Sequence, residues 1–420
     1  MCWAVKLMKI LHCNTYDNGG GAAIAAHRLH TALCGLGVDS HLGVLQRERE
    51  EARVHRLVGA LRKHLSGLIL RAEKMPFKLF GTKFNSFFSS GLFPSFVHRR
   101  INGIAADITH LHWIQSEFIS LRDIARITTP LVMTLHDTWG FTGGCHILQG
   151  CEQYKDSCAA CPQVSSGARW LVKKSFNVKQ STYAKKRIDF VLPSKAYLFK
   201  ARQSRLLQHN ALHHIPNPID TARFSPLETP LARKIMGVSP HIPTLLFGAV
   251  AASKDANKGY DLLSAALLKL PQYYAKPVQL LVFGASEGVN VIGAYPVQYL
   301  GRLHDDVSLR LAYCAADVFV CPSREENLPY TVMESLSCGT PVAAFAVGGI
   351  PDMVEDMVNG RLAVPHDPDA LARSIAYILE DKERHACMCI AARQVVEERY
   401  ALSVVARQYL ELYSEILERK

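Results

Sequence analysis

No stretch of this 420-residue chain approaches the ~20 consecutive apolar residues of a membrane-spanning helix; Leu65 to Leu70 is typical of its short runs. With 49% hydrophobic residues and no such run, a water-soluble globular protein is expected. The N-terminus has no apolar signal-type segment followed by a small-residue cleavage site. Residues 1–7 therefore read as an extension before a first strand at Met8, and a cytoplasmic location is expected. The G-x-G-x-x-G spacing of a dinucleotide fold is also missing. Acid is scarce in one half only. Met1 to Ile215 holds 29 Lys/Arg against 13 Asp/Glu, whereas Pro216 to Lys420 holds 19 against 24. No nucleic-acid reading motif accompanies the positive half, which argues against nucleic acid as a partner.

The length exceeds one ordinary core, so two domains are expected. His213 to Asp220 is proline-rich and extended, and the charge balance changes sign there. The expected divisions are 1–212, 213–394 and a terminal helix over 395–420. Residues 47–105 read as an insertion, with Arg53 to Arg100 holding ten Lys/Arg against the single acid Glu73. Within it, residues 57–71 mix apolar and basic positions at helical spacing, and Phe77, Phe80, Phe84, Phe87, Phe88 and Phe93 follow. A second basic run is Arg169, Lys173, Lys174, Lys179, Lys185, Lys186 and Arg187. These runs are open to two readings. They are solvated or core-covering helix faces, or they meet an anionic membrane surface, where each basic residue adds ~1 kcal/mol.

Strand-like Lys9 to Asn14, the turn Asp17 to Gly21 and a helix from Ala22 to Leu36 begin a nucleotide-type α/β unit. Gly20 and Gly21 either approach a phosphate or merely make a tight turn. Asp107 to His112 and Leu131 to His136 are further short strands. His112 and His136 fall near their C-terminal ends, where open α/β sheets bind ligands, and the following Asp137 favours His136. After residue 243 strands and helices alternate, the pattern of a parallel sheet wound with helices. Lys258 opens one of those helices, where a cation and a helix N-terminus together suit a diphosphate, although a surface lysine reads the same way.

Ser323 to Asp352 is the densest stretch. A strand ends near Val320, Pro329 to Cys338 reads as a helix closed by Gly339, and an apolar run follows. Glu326 would precede the helix N-terminus and Glu334 would lie inside it. Two carboxylates beside free backbone N–H groups suit a phosphorylated sugar. Asp367-Pro368-Asp369 has the form of a metal motif, but its place before a helix makes it an N-cap. Cys145, Cys151, Cys158 and Cys161 crowd into seventeen residues, and the closing Cys-x-x-Cys pair with Pro162 fits a structural zinc site, favoured over the alternative of disulfides in a reducing cytoplasm.

These residues resemble the family-4 retaining glycosyltransferases of the GT-B fold. The resemblance is carried by Ser323-x-x-Glu326 through Glu334, Cys338 to Val342, Gly348 to Pro351, Asn217 to Asp220, Lys258-Gly259 and Gly20-Gly21. Leu135 to Cys145, with the later cysteines, is similar to a branch that builds bacterial exopolysaccharide, capsule or O-antigen. The resemblance implies two Rossmann-like α/β domains facing across a cleft, one for acceptor and one for nucleotide sugar, and a last helix that returns to the first. It implies that Glu326 holds the donor sugar's hydroxyls, Glu334 the ribose and Lys258 the leaving diphosphate. Gly20 and Gly21 would abut that diphosphate, Asn327 and Leu328 would offer backbone N–H groups, and His136 would lie near the reacting carbon. The family's usual phosphate-binding Arg is replaced by Ala252, with Lys254 as the available substitute. No catalytic metal is implied. The expected partners are a nucleotide sugar, a lipid-linked saccharide and the anionic inner face of the plasma membrane. The alternatives are a GT-B nucleotide-sugar epimerase and a non-catalytic zinc-bearing assembly protein.

Overall fold

The computed structural model describes the chain apart from residues 1–7, 60–66, 70, 74, 76, 78, 80–87, 249–254, 286, 290 and 420. Lys254, Ala252, the N-terminal extension, much of the basic helix in the expected insertion, and Phe80, Phe84 and Phe87 lie outside the described residues.

The chain forms two compact units. One is Met1–Pro218 with Val405–Lys420, and the other is Ile219–Val404. Each is built on a seven-stranded sheet. The first sheet has the strands β1 (Lys9–Tyr16), β2 (Asp39–Gln46), β3 (Val54–Arg56), β4 (Ile108–Leu111), β5 (Leu131–Thr134), β6 (Ile188–Leu192) and β7 (Ala211–His214). Their order is β3-β2-β1-β4-β5-β6-β7, and every pairing is parallel. Strands β4, β5 and β6 are buried along their whole length, as a sheet covered on both faces demands.

The second sheet has β8 (Thr244–Gly248), β9 (Gln279–Phe283), β10 (Val291–Ile292), β11 (Tyr295–Tyr299), β12 (Val318–Cys321), β13 (Val342–Phe345) and β14 (Gly360–Ala363). Its order is β10-β11-β9-β8-β12-β13-β14, parallel except for the short edge hairpin β10–β11. Its core is a cluster that includes Leu245, Phe247, Leu263, Leu280, Val320, Phe345, Leu371 and Ile375.

Three sequence expectations change. The first boundary falls after Pro218 rather than at 212, because His213 and His214 belong to β7 and complete the first sheet. The expected insertion from residue 47 begins too early, since Val54–Arg56 pairs with β2 and is part of the sheet. The terminal helix expected from Val395 is two helices, Lys382–Arg399 and Leu402–Glu418, parted at Tyr400–Ala401. Ala401 forms a bridge with Ile219 at that break. The chain then re-enters the first unit, where Tyr413 hydrogen-bonds His110 at 2.7 Å and Tyr409 hydrogen-bonds Thr134 at 3.0 Å.

Candidate active site

In the C-terminal unit the strand order reverses between β8 and β12, and open α/β sheets bind ligands outside the strand ends at such a point. The loops after these two strands carry Lys258 and Glu326. Lys258 closes a 3-10 turn, Ala256–Lys258, and its Nζ donates to Glu326 Oε1 at 2.7 Å. The pair is sheltered, with 26% and 12% of the side chains exposed, so salt screens it less than a surface pair. Burial works against the Lys258 charge, but the Glu326 carboxylate outweighs it and raises the lysine above its ordinary range. Lys258 is therefore a cation at neutral pH.

Two glycines let three loops close on Glu326. Gly259 has φ +69°, and a Cβ there would stand 2.0 Å from the Pro322 carbonyl oxygen. Gly348 has φ +54°, and its Cβ would stand 1.6 Å from the Glu326 carbonyl oxygen. Only glycine permits both the left-handed backbone and that approach. Gly349 N–H then donates to Asn327 O at 2.8 Å, which fixes the loop from behind. Asn257 completes the clamp. Its side-chain amide donates to Glu325 O at 2.8 Å and accepts from Glu325 N–H at 3.1 Å.

The helix Tyr330–Ser337 follows, and its N-cap, Pro329, supplies no side-chain cap. The first-turn N–H groups thus face the end of the Glu326–Leu328 loop with the positive end of the helix dipole. Glu334 lies in the second turn, almost wholly buried, and accepts from Tyr313 O–H at 3.2 Å. As expected, Glu326 stands before the helix and Glu334 within it. Asn327 and Leu328 sit between them. Asp367 caps the helix Pro368–Glu380 by accepting from Asp369 N–H at 2.9 Å, the N-cap role expected for it.

The N-terminal unit has its own reversal, between β1 and β4. The turn after β1 holds Gly19 and Gly20 at φ +77° and +83° before the helix Gly21–Gly35. Gly20 and Gly21 are exposed, while buried Asp17 pins the turn by accepting from the N–H groups of Glu48 and Arg49. His136 lies just past β5. Its Nε2 is 3.0 Å from His112 Nδ1, and His112 Nε2 is 3.1 Å from His12 Nδ1. Burial pushes His136 down to about 4 against the pull of Asp137, so the ring is neutral at pH 7. Asp137 is held by His146 Nδ1 at 2.5 Å, Trp113 Nε1 at 2.9 Å and Trp139 N–H at 2.8 Å.

This geometry bears on kinship. Residues 243–381 match the family model of the glycosyl transferases group 1. The chain is similar to D-inositol 3-phosphate glycosyltransferase of Xylanimonas cellulosilytica, 34% identical over 227 residues that cover 50% of this chain and 52% of that protein. It is similar to the GDP-mannose-dependent monoacylated alpha-(1-6)-phosphatidylinositol monomannoside mannosyltransferase of Corynebacterium glutamicum, 28% identical over 240 residues, covering 53% and 61%. The chain thus spans about half the length of the curated relatives it matches. Its fold is that of sucrose-phosphate synthase from Thermosynechococcus elongatus, with TM-score 0.69 over 98% of this chain and 100% of that one at 21% identity. The segment that matches the group 1 model therefore holds Lys258, Asn257, Glu326 and Glu334, and the two Rossmann-like units have an α/β architecture of GT-B type.

Sequence reasoning missed Asn257, Tyr313, His12 and His110. Asn257 adjoins Lys258, and that adjacency was the available signal. The other three act only through partners distant in the chain, and nothing local marks them.

Proposed function

We propose that the protein is a glycosyltransferase that moves a sugar from a nucleotide-sugar donor, with retention, to a lipid-linked saccharide acceptor in surface-polysaccharide synthesis. The Lys258–Glu326 pair at the β8/β12 reversal, inside the segment that matches the group 1 family, carries this reading. In the proposed roles, Lys258 meets the departing diphosphate, where a fixed cation supports the charge that develops as the glycosidic bond breaks. Glu326 releases that ammonium and accepts hydroxyls of the donor sugar, while Glu334 accepts the ribose hydroxyls. The backbone N–H groups of Asn327 and Leu328 and the uncapped helix turn receive phosphate oxygens. Within the N-terminal unit, the proposed role of the Gly20–Gly21 turn is to offer backbone N–H groups to a phosphate, and that of neutral His136 is to offer a hydrogen-bond partner to a sugar. Lys254 would supply the second cation. The reading needs no metal for the transfer step.

The lipid-linked acceptor and the anionic membrane face draw support from the helix Arg169–Lys185, where Trp170 is 54% exposed beside exposed Lys173 and Lys174. Among the described residues no helix is long and apolar enough to cross a membrane, so attachment would be peripheral. The test is Glu326→Ala. Transfer from a nucleotide sugar should fall by at least about 100-fold, the usual scale for a group that contacts the transition state, in a protein that circular dichroism shows to be folded. Full transfer activity in that variant rejects the site.

A further inference from the structure

Lys179 was read above as part of a basic surface, but it is fully buried. Its Nζ donates to the carbonyl oxygens of Trp139, at 2.5 Å, and Thr142, at 3.1 Å, and lies 3.6 Å from the centre of the Trp139 ring. Among the described residues it has no hydrogen bond to a carboxylate. Burial pushes Lys179 down to about 7, while the neighbouring sulfurs of Cys145 and Cys158 and the Asp137 carboxylate favour its charged form. Beside it, Cys145, Cys151, Cys158 and Cys161 all line one small pocket with Thr142 and Gly143.

The backbone around these thiols is arranged to donate to sulfur. Gly143 N–H donates to Cys158 Sγ at 3.2 Å, and Gln153 N–H approaches Cys151 Sγ at 3.5 Å. Cys158 itself adopts φ +53°, a conformation that a residue with a Cβ takes only when its surroundings impose it. Such donors stabilise thiolates far more than neutral thiols.

We propose that Cys145, Cys151, Cys158 and Cys161, which line one pocket where backbone N–H groups meet sulfur, form a closed tetrathiolate site for a tetrahedral divalent ion, zinc by its preference for four sulfurs. Four thiolates on a divalent ion leave net negative charge, which would favour the charged form of Lys179 beside them. The site is structural, because four protein ligands leave no open position. Its purpose is to hold the segment beyond β5. Thr138 and Thr142 hydroxyls both donate to Cys145 O, at 2.9 and 3.0 Å, and the next residue, His146, grips Asp137 beside His136. The inference does not depend on which sugar is transferred.

Among the described residues, the ligand atoms that already lie within 4.8 Å of one another belong to His12, His110 and His112. The thiols share a pocket but stand further apart, so binding would draw them in. The histidines are the weaker set. Both nitrogens of His110 and of His112 already have hydrogen-bond partners, and only His12 Nε2 lacks one.

The test is elemental analysis of the full chain purified with zinc in the medium. About one zinc per chain is expected, falling to near zero in Cys151→Ser and Cys161→Ser. In Lys179→Met, loss of zinc to a chelator should be at least about tenfold faster, about 1.4 kcal/mol of barrier. Because a ligand variant can fail to fold, the wild-type chain exchanged with cobalt gives an independent readout. It should show sulfur-to-cobalt charge transfer and the intense visible bands of a tetrahedral thiolate site. Absence of stoichiometric metal overturns the proposal, as does zinc that survives both cysteine variants or disulfides among the four cysteines. Zinc lost in His12→Ala but kept in Cys161→Ser assigns the metal to the histidines instead.

Discussion

Glu326 and Lys258 neutralise each other across 2.7 Å, so each holds the other in place; in the proposed roles a diphosphate would compete for the ammonium. Removing one member leaves the other charge sheltered and unpaired, and the two variants should differ in kind. Lys258→Met is expected to weaken donor binding and, beyond that, to lower kcat by about 100-fold or more, because the negative charge on the diphosphate grows as the glycosidic bond breaks. A Lys258→Met enzyme that changes KM alone would make the lysine a ground-state ligand. The carboxylates were legible because their spacing across a helix start has few other uses. Lys179 was not, because a lysine in a basic run gives no sign that the helix turns it inward to Trp139 O and Thr142 O.

At the scale of elements, the loop after β13 is built around glycine. In Gly348→Ala, the added Cβ must displace the Glu326 carbonyl, 1.6 Å away, and abandon φ +54°. We expect a loss of about 2 kcal/mol or more in stability, together with loss of transfer, because the displaced backbone carries Glu326. A denaturant titration measures the first, and a midpoint equal to that of the parent contradicts the clash.

The histidine string makes a second element-scale prediction. Burial pushes His30 and His136 down to about 4 and lowers His12, His110 and His112 well below their ordinary value. The folded chain therefore binds fewer protons than the unfolded chain at pH between about 4 and 6.5. Stability is full above pH ~6.5 and falls as pH drops, each histidine contributing up to ~1.4 kcal/mol per pH unit. Urea midpoints from pH 7.5 to 5 measure the slope, and a flat profile contradicts the neutral string. Strand–helix alternation made the second sheet readable, whereas His12 and His110 meet only through β1–β4 pairing, which no local pattern encodes. The three-residue strand Val54–Arg56 escaped for a related reason. Its central position is a polar histidine, and only pairing with β2 marks it as sheet.

For the whole molecule, the proposed membrane contact would fall on the N-terminal unit, which holds the excess of basic residues and the exposed Trp170. Deleting residues 53–100 cannot test this, because Val54, Phe88 and Val97 are buried there. Trp170→Ala with Lys173→Glu and Lys174→Glu changes only exposed positions. That triple variant should lose at least about 2 kcal/mol of binding to anionic vesicles, by ~1 kcal/mol per basic residue removed. Unchanged co-sedimentation would remove the membrane from the account. The two-unit division was legible from the charge reversal and the proline-rich link. Its limits were not, because β7 and the break at Tyr400 are settled by pairing rather than composition.

The central claim is that the C-terminal unit holds a nucleotide sugar through Lys258 and Glu326. Titration calorimetry of the full chain against a panel of nucleotide sugars tests it most directly, with Lys258→Met and Glu326→Ala run beside the parent. One donor should bind the parent, and each variant should weaken it by at least about tenfold, or ~1.4 kcal/mol. Binding of no nucleotide sugar, or equal binding by all three proteins, contradicts the account.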